Sequence, residues 1–236
     1  MCLNTLRRPS KYRDMPRGSI VRLIKWTIPR RFYETLALLR RRSLVPEFTV
    51  EGKFISSDLG AKLEHTSVTS AQVELLLEAV RESNELGGPI IEIGSFRGVT
   101  TRSLALVAGL HREVVAVDPY LGEGGHEKDF CLFRQHTSNL RNVRHIRAAS
   151  DQAFRIWNGA PISLVFIDAM HEYLHALYDF EAWGSLVQPG GFVAFHDVDL
   201  FSGVNFLCQH ILASRPEWRP WAYAPNIAIF ERRVVS

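Results

Sequence analysis

The stretch Pro89-Ile-Ile-Glu-Ile-Gly-Ser-Phe-Arg-Gly98 sets the architecture. Its apolar run from Pro89 to Ile93 is only strand-sized and passes at once into a turn holding Gly94 and Gly98. Leu104, Ala105, Leu106 and Val107 then mark a helix. Strand, tight glycine turn and helix together form the unit from which parallel sheets are wound. The same alternation extends both ways along the chain. Upstream, Thr69 with Gln72 three positions later is a capping box. Val73, Leu76, Leu77 and Val80 follow as the buried face of a helix expected to end near Gly87-Gly88. Downstream, Glu113 to Val117 reads as a strand ending in Asp118. A helix around Phe130 to Leu140, a strand from Val143 to Ala148 and a helix opened by Ser150-Asp151 come next. Ile162 to Ile167 ends in Asp168, a helix runs from about Tyr173 to Leu186, and Pro189-Gly190-Gly191 makes a turn. Phe192 to Phe195 then ends in His196-Asp197. A helix near Val204 to Ala213 precedes a closing hairpin of Trp218 to Tyr223 and Asn226 to Glu231. Fully apolar strands separated by helices require an α/β fold whose mostly parallel sheet is covered on both faces, and right-handed crossovers make it doubly wound.

Composition bounds the rest. The 236 residues are 46% apolar and 22% charged, which suits one large domain with an extension and excludes intrinsic disorder. No apolar run approaches the ~20 residues of a bilayer span. The segment Ser19 to Pro29 is broken by Arg22 and Lys25 with no small-residue cleavage site after it, so a cytoplasmic protein is expected. Cys2, Cys131 and Cys208 are too scattered for a disulfide framework or a structural zinc site.

Charge is unevenly placed. Residues 1–42 hold twelve Lys or Arg against Asp14 and Glu34, a net of +10, so the overall +3 conceals a basic arm on a body of net −7. Ile20, Leu23 and Ile24, then Phe32, Leu36 and Leu39, recur at helical spacing on either side of Pro29, the pattern of a basic amphipathic hairpin. Such an arm suits an anionic membrane surface or another anionic ligand, or else its apolar face covers the body or a second subunit in a homo-oligomer. No specific nucleic-acid recognition is expected of it. The organisation expected is an extension over residues 1–64 and a domain over 65–236.

In a doubly wound sheet the ligand lies beyond the carboxyl ends of the strands. Glu92 and Gly94, Asp118, Ser150-Asp151, Asp168 with His171, and His196-Asp197 all stand at those ends. Gly94 and Gly98 let the backbone approach a ligand at a helix N-terminus. Asp118, 24 positions after Gly94, is placed to accept hydrogen bonds from ribose hydroxyls. Together they describe a nucleoside site.

Glu92-Ile-Gly-Ser-Phe-Arg-Gly98 resembles the first motif of class I S-adenosylmethionine-dependent methyltransferases. Leu164 to His171, Asp179, Trp183 and Leu186 to Val198 are similar to the subgroup of macrolide-sugar O-methyltransferases and cephalosporin hydroxylase-like proteins. The likeness covers roughly residues 65–231 and leaves the basic arm aside. It implies a Rossmann-like, seven-stranded sheet with an antiparallel last strand. It further implies that Glu92, Gly94, Ser95, Phe96 and Gly98 shape the methionine and ribose side of the donor, that Asp118 holds the ribose, and that Ser150-Asp151 border adenine. In the subgroup an Asp-x-x-His such as Asp168 to His171 contributes a metal ligand and the base, and Asp168 also borders the donor.

The chemistry can be argued separately. Methyl transfer to a hydroxyl needs alignment and a more nucleophilic oxygen, supplied by a base or by a divalent cation. Asp168 and Asp197 offer hard oxygen ligands for Mg²⁺ or another divalent cation, His196 is a further candidate ligand, and His171 is the candidate base. A capping or pairing role accounts for the same residues without catalysis. The expected activity is S-adenosylmethionine-dependent O-methylation of a small hydroxylated acceptor, such as a sugar or glycosylated metabolite. A protein that keeps the fold for membrane or partner binding, or a hydroxylase-like metal enzyme, is the alternative.

Overall fold

The computed structural model describes residues 39, 41–122 and 125–233. The chain divides into two compact units, Met1–Arg40 and Arg41–Ser236. All that follows concerns the second, and the amphipathic pattern read over residues 20–36 lies outside the described residues. Among those residues no helix is long and apolar enough to cross a membrane.

In chain order the elements are α1 (Val45–Glu51), β1 (Phe54–Ile55), α2 (Ser70–Glu82), β2 (Ile90–Ile93), α3 (Val99–Ala108), β3 (Val114–Val117), α4 (Glu127–Thr137), β4 (Val143–Ile146), α5 (Ser150–Arg155), β5 (Ile162–Ile167), α6 (Tyr173–Gly184), β6 (Val187–His196), α7 (Ser202–Ser214), β7 (Trp218–Ala224) and β8 (Ile227–Arg232). The eight strands form one sheet in the order β1-β7-β8-β6-β5-β2-β3-β4. Only β8 runs antiparallel to its neighbours, inserted between β6 and β7. β2, β3 and β5 are buried along their whole length, so their side chains serve both helical layers in turn. Ile91, Val115, Val165, Val193 and Phe195 meet Phe48 of α1, Phe180 and Trp183 of α6 and Leu207 of α7. Ile90, Val114, Leu164, Phe166 and Ala194 meet Leu76 and Val80 of α2 and Leu104 of α3. Burying a side chain of this size stabilises the fold by ~2 kcal/mol.

Four details differ from the sequence reading. An eighth strand exists because Phe54–Ile55 pairs in parallel with Ala222 and Tyr223, a two-residue edge too short to leave a periodic signal. α2 stops at Glu82, five residues before Gly87, and a 3₁₀ turn over Asn84–Leu86 carries the chain to that left-handed glycine. α4 starts at Glu127 and ends at Thr137, because Asp129 Oδ2 accepts the His126 N–H at 3.0 Å and caps its N-terminus. Pro189-Gly190-Gly191 does not separate helix from strand. It lies inside β6, where pairing with β5 shifts between Ile162↔Val187 and Leu164↔Phe192, and Gly190 at φ +83° absorbs the extra residues.

Candidate active site

Each polar residue of interest stands where a buried strand releases the chain. At the end of β2, Gly94 has φ +90°, and a Cβ there would lie 1.8 Å from the Asp168 carbonyl oxygen. The glycine is therefore imposed by the close approach of the loop after β5. Gly98, at φ +75°, caps α3 beside Phe133. Between them Phe96 also adopts a left-handed conformation, φ 44°, and its N–H donates to Asp118 Oδ2 at 2.9 Å. Asp118 Oδ1 accepts the Tyr120 N–H at 2.8 Å. These two bonds aim a buried carboxylate at the end of β3 toward the glycine turn. Burial pushes the Asp118 carboxyl above its usual range, and the two N–H groups oppose that shift. Tyr120 returns the link, its hydroxyl donating to the Phe96 carbonyl at 2.6 Å and lying 3.3 Å from Ser95 Oγ.

Glu92 is 1% exposed and points into the α3 side, where the Thr101 hydroxyl donates to Oε2. Burial raises its carboxyl to about 8, with the charges of Asp168 and Asp118 adding to the effect. Ser150 begins α5. Its hydroxyl donates to Asp179 Oδ1 and accepts the Trp183 indole N–H at 2.9 Å, joining α5 to α6. Asp151 pairs with Arg155 one helical turn on.

A second cluster forms across the ends of β5 and β6. His171 Nε2 lies 2.7 Å from Asp197 Oδ2, and the His171 ring stacks on Phe201 with centroids 3.9 Å apart. Asp197 sits in the left-handed region, φ 63°, and its Oδ1 accepts the Asn226 amide at 2.8 Å. Burial acts to raise the Asp197 carboxyl, but His171, His196 and Asn226 together hold it well below the usual carboxylate range. Asp168, His171 and Asp197 each offer a ligand atom, and these atoms all lie within 4.8 Å of one another. His196 does not join that group. Its Nδ1 faces Asp168 Oδ1 at 3.2 Å and its Nε2 faces Gln72 Oε1 at 3.1 Å, so both nitrogens are engaged. Burial acts to lower the His196 imidazole, but Asp168 and then Asp197 raise it to about 10.

Two residues of this cluster were not singled out as site residues from the sequence. Gln72 was read only as a helix cap, and Asn226 only as the start of a strand. Asn226 Oδ1 accepts the N–H groups of Asp199 and Leu200, both at 3.2 Å, so it braces the loop that carries Asp197. Neither residue type at those positions carries a chemical signal, because their partners lie 124 and 29 residues away in sequence.

Residues 91–198 match the family described as a methyltransferase domain. The matched segment runs from within β2 to just past the end of β6 and holds Gly94, Phe96, Asp118, Asp168, His171, His196 and Asp197, while Gln72, Phe201 and Asn226 lie outside it. Over that segment the chain is similar to methyltransferase domains, and its sheet order is of the same doubly wound kind. The fold resembles that of solved O-methyltransferases. TomG of Streptomyces achromogenes, an O-methyltransferase solved with its methyl donor, superposes with TM-score 0.57 at 18% identity, over 92% of this chain and 96% of that one. CalS11, a TDP-rhamnose 3'-O-methyltransferase of calicheamicin biosynthesis, superposes with TM-score 0.54 at 18% identity, over 69% and 80%. An uncharacterised protein, R132 of Acanthamoeba polyphaga mimivirus, is 31% identical over 113 residues, 45% of this chain. The match spans about half the length of that curated relative.

Proposed function

We propose that the chain is an S-adenosylmethionine-dependent O-methyltransferase of a small hydroxylated acceptor, assisted by a divalent cation. The observation that carries the reading is the bond from Phe96 N–H to Asp118, which gathers the glycine turn and a ribose-type carboxylate at one lip of the sheet. When bound, S-adenosylmethionine supplies an electrophilic methyl group whose departure leaves a neutral thioether, so no acid is required. The residues present fit it. Asp118 retains lone pairs beyond its two backbone bonds for vicinal hydroxyls.

The acceptor hydroxyl is the harder partner. With His171 Nε2 turned toward the Asp197 carboxylate, Nδ1 is left to take the hydroxyl proton as oxygen attacks carbon and the carbon–sulfur bond breaks. The carboxylates of Asp168 and Asp197 lie close enough together to hold a divalent cation such as Mn²⁺ through hard oxygen ligands. Such a cation would be held by Asp168 and Asp197, with His171 kept as the base, and would lower the pKa of a hydroxyl bound beside it. A sugar or glycosylated acceptor is favoured by the likeness to a sugar O-methyltransferase and by the polar character of the Asp168–Asp197 rim.

Calorimetry with S-adenosylmethionine and S-adenosylhomocysteine tests the donor: binding of both is expected, and absence of both refutes the reading. Turnover of the copurified or screened acceptor should stop in chelator and return with Mn²⁺. Full activity in chelator would remove the cation from the proposal and leave His171 alone as base.

A further inference from the structure

Gln72 opens α2, which packs in the same layer as α3, and its amide reaches three separate parts of the fold. It is 2% exposed. Oε1 accepts the Thr69 N–H at 2.8 Å, and Nε2 donates to the Pro225 carbonyl at 2.6 Å. A backbone N–H can only donate and a carbonyl can only accept, so these two partners fix which end of the amide is oxygen. His196 Nε2 lies 3.1 Å from that same oxygen. An amide oxygen cannot donate, so Nε2 carries a proton, and the ring is turned with Nδ1 toward Asp168 Oδ1 at 3.2 Å.

We infer that Gln72 is a positioning residue for the candidate active site: by accepting from His196 Nε2 and holding the rotation of the ring, it sets where the Asp168 carboxylate points. Three further observations bear on this. His196 is 2% exposed, so water does not compete for its nitrogens. The Phe166 ring meets the imidazole edge-on and limits its rotation. Pro225, which holds the other end of the Gln72 amide, adjoins Asn226, which binds Asp197. The β7–β8 turn therefore buttresses both carboxylates, Asp197 directly and Asp168 through Gln72 and His196. Partners that orient metal-ligating or reacting groups in this way commonly change affinity or rate 10–100-fold when removed, roughly, without touching substrate.

The inference rests on the reading of Asp168 as a site residue, and the experiment keeps the two apart. Nitrogen-15 imidazole spectra are recorded on the full chain labelled at histidine, for the wild type, Gln72→Met and Gln72→Glu, with Mn²⁺ titrated alone into each protein. In the wild type the His196 Nε2 resonance is expected at the shift of a protonated nitrogen. Gln72→Met removes the acceptor for that N–H, so it should shift the His196 Nε2 resonance and weaken Mn²⁺ binding about tenfold. Gln72→Glu, with one oxygen accepting from Thr69 and His196 and the other protonated toward the Pro225 carbonyl, should restore the two. An unprotonated Nε2 in the wild type overturns the inference whether or not the methionine variant folds, and so does a Gln72→Met protein whose His196 spectrum is unchanged. Failure of the wild type to bind S-adenosylmethionine would instead remove the proposed function and leave the nitrogen spectra to judge Gln72 by themselves.

Discussion

The N–H of Phe96 and the Oδ2 atom of Asp118, 22 residues apart in sequence, are joined by a 2.9 Å hydrogen bond that closes the glycine turn onto the end of β3. Because Phe96 is in the left-handed region, that N–H faces the carboxylate and does not continue a helix or ladder. The bond does two things at once. It fixes the conformation of the turn, and it orients the carboxylate to which the proposed function gives the ribose.

Asp118→Ala therefore removes a ligand for the donor and an anchor for its own turn. Hydrogen bonds to a charged group contribute ~1.5–3 kcal/mol each. S-adenosylhomocysteine affinity, measured by calorimetry, should fall at least about tenfold. Unchanged affinity would place the donor elsewhere.

Gly94→Ala meets both a positive φ and a backbone oxygen 1.8 Å from the new Cβ. Neither is relieved by a rotamer change, since the obstacle is main chain. A loss of at least ~2 kcal/mol in urea-unfolding stability is expected, together with loss of donor binding. A near-neutral variant would mean that the loops after β2 and β5 are not in contact.

Asn226→Gly isolates a side chain from its backbone. Asn226 has φ 71°, which glycine adopts without strain, so the turn survives while the partners of Asp197 Oδ1, Asp199 N and Leu200 N are lost. The expected signature is a stability change of ~1–2 kcal/mol with a larger fall in methyl transfer or Mn²⁺ affinity. Equal losses in stability and activity would make Asn226 only a turn residue.

Asp179 sets a pH dependence of stability. Burial raises its carboxyl to about 6 from an ordinary 3.8, against the opposing hydrogen bond from the Ser150 hydroxyl. The native state thus keeps a proton that the unfolded chain has released between these values, and stability from this group is present at low pH and lost as pH rises through about 6. Asp179→Asn, which still accepts from Ser150, should be more stable than wild type at pH 8 by on the order of 2 kcal/mol and lose that advantage near pH 4. Melting curves across that range check the sign, and an advantage that grows on acidification would contradict it.

Much was legible before any coordinates. Strands such as Ile162–Ile167 are apolar on both faces and end in an acid, so local composition alone places Asp118 and Asp168 at strand ends, and the rule of parallel sheets puts those ends on one rim. The elements that escaped were those whose cause is distant. Phe54–Ile55 is a strand only because β7 offers an edge, and the glycine pair after Pro189 bulges inside β6 only because β5 sets the register.

The chain's own periodicity settled that this is a doubly wound α/β domain with a polar rim, since turn glycines and apolar runs act over a few residues. Which nitrogen faces which oxygen was decided by folding. His171 meets Asp197, His196 turns its two nitrogens to Asp168 and Gln72, and Ser150 meets Asp179. Such pairings join residues up to 124 positions apart, and hydrogen bonds depend on angle and on tenths of an ångström that linear order does not encode.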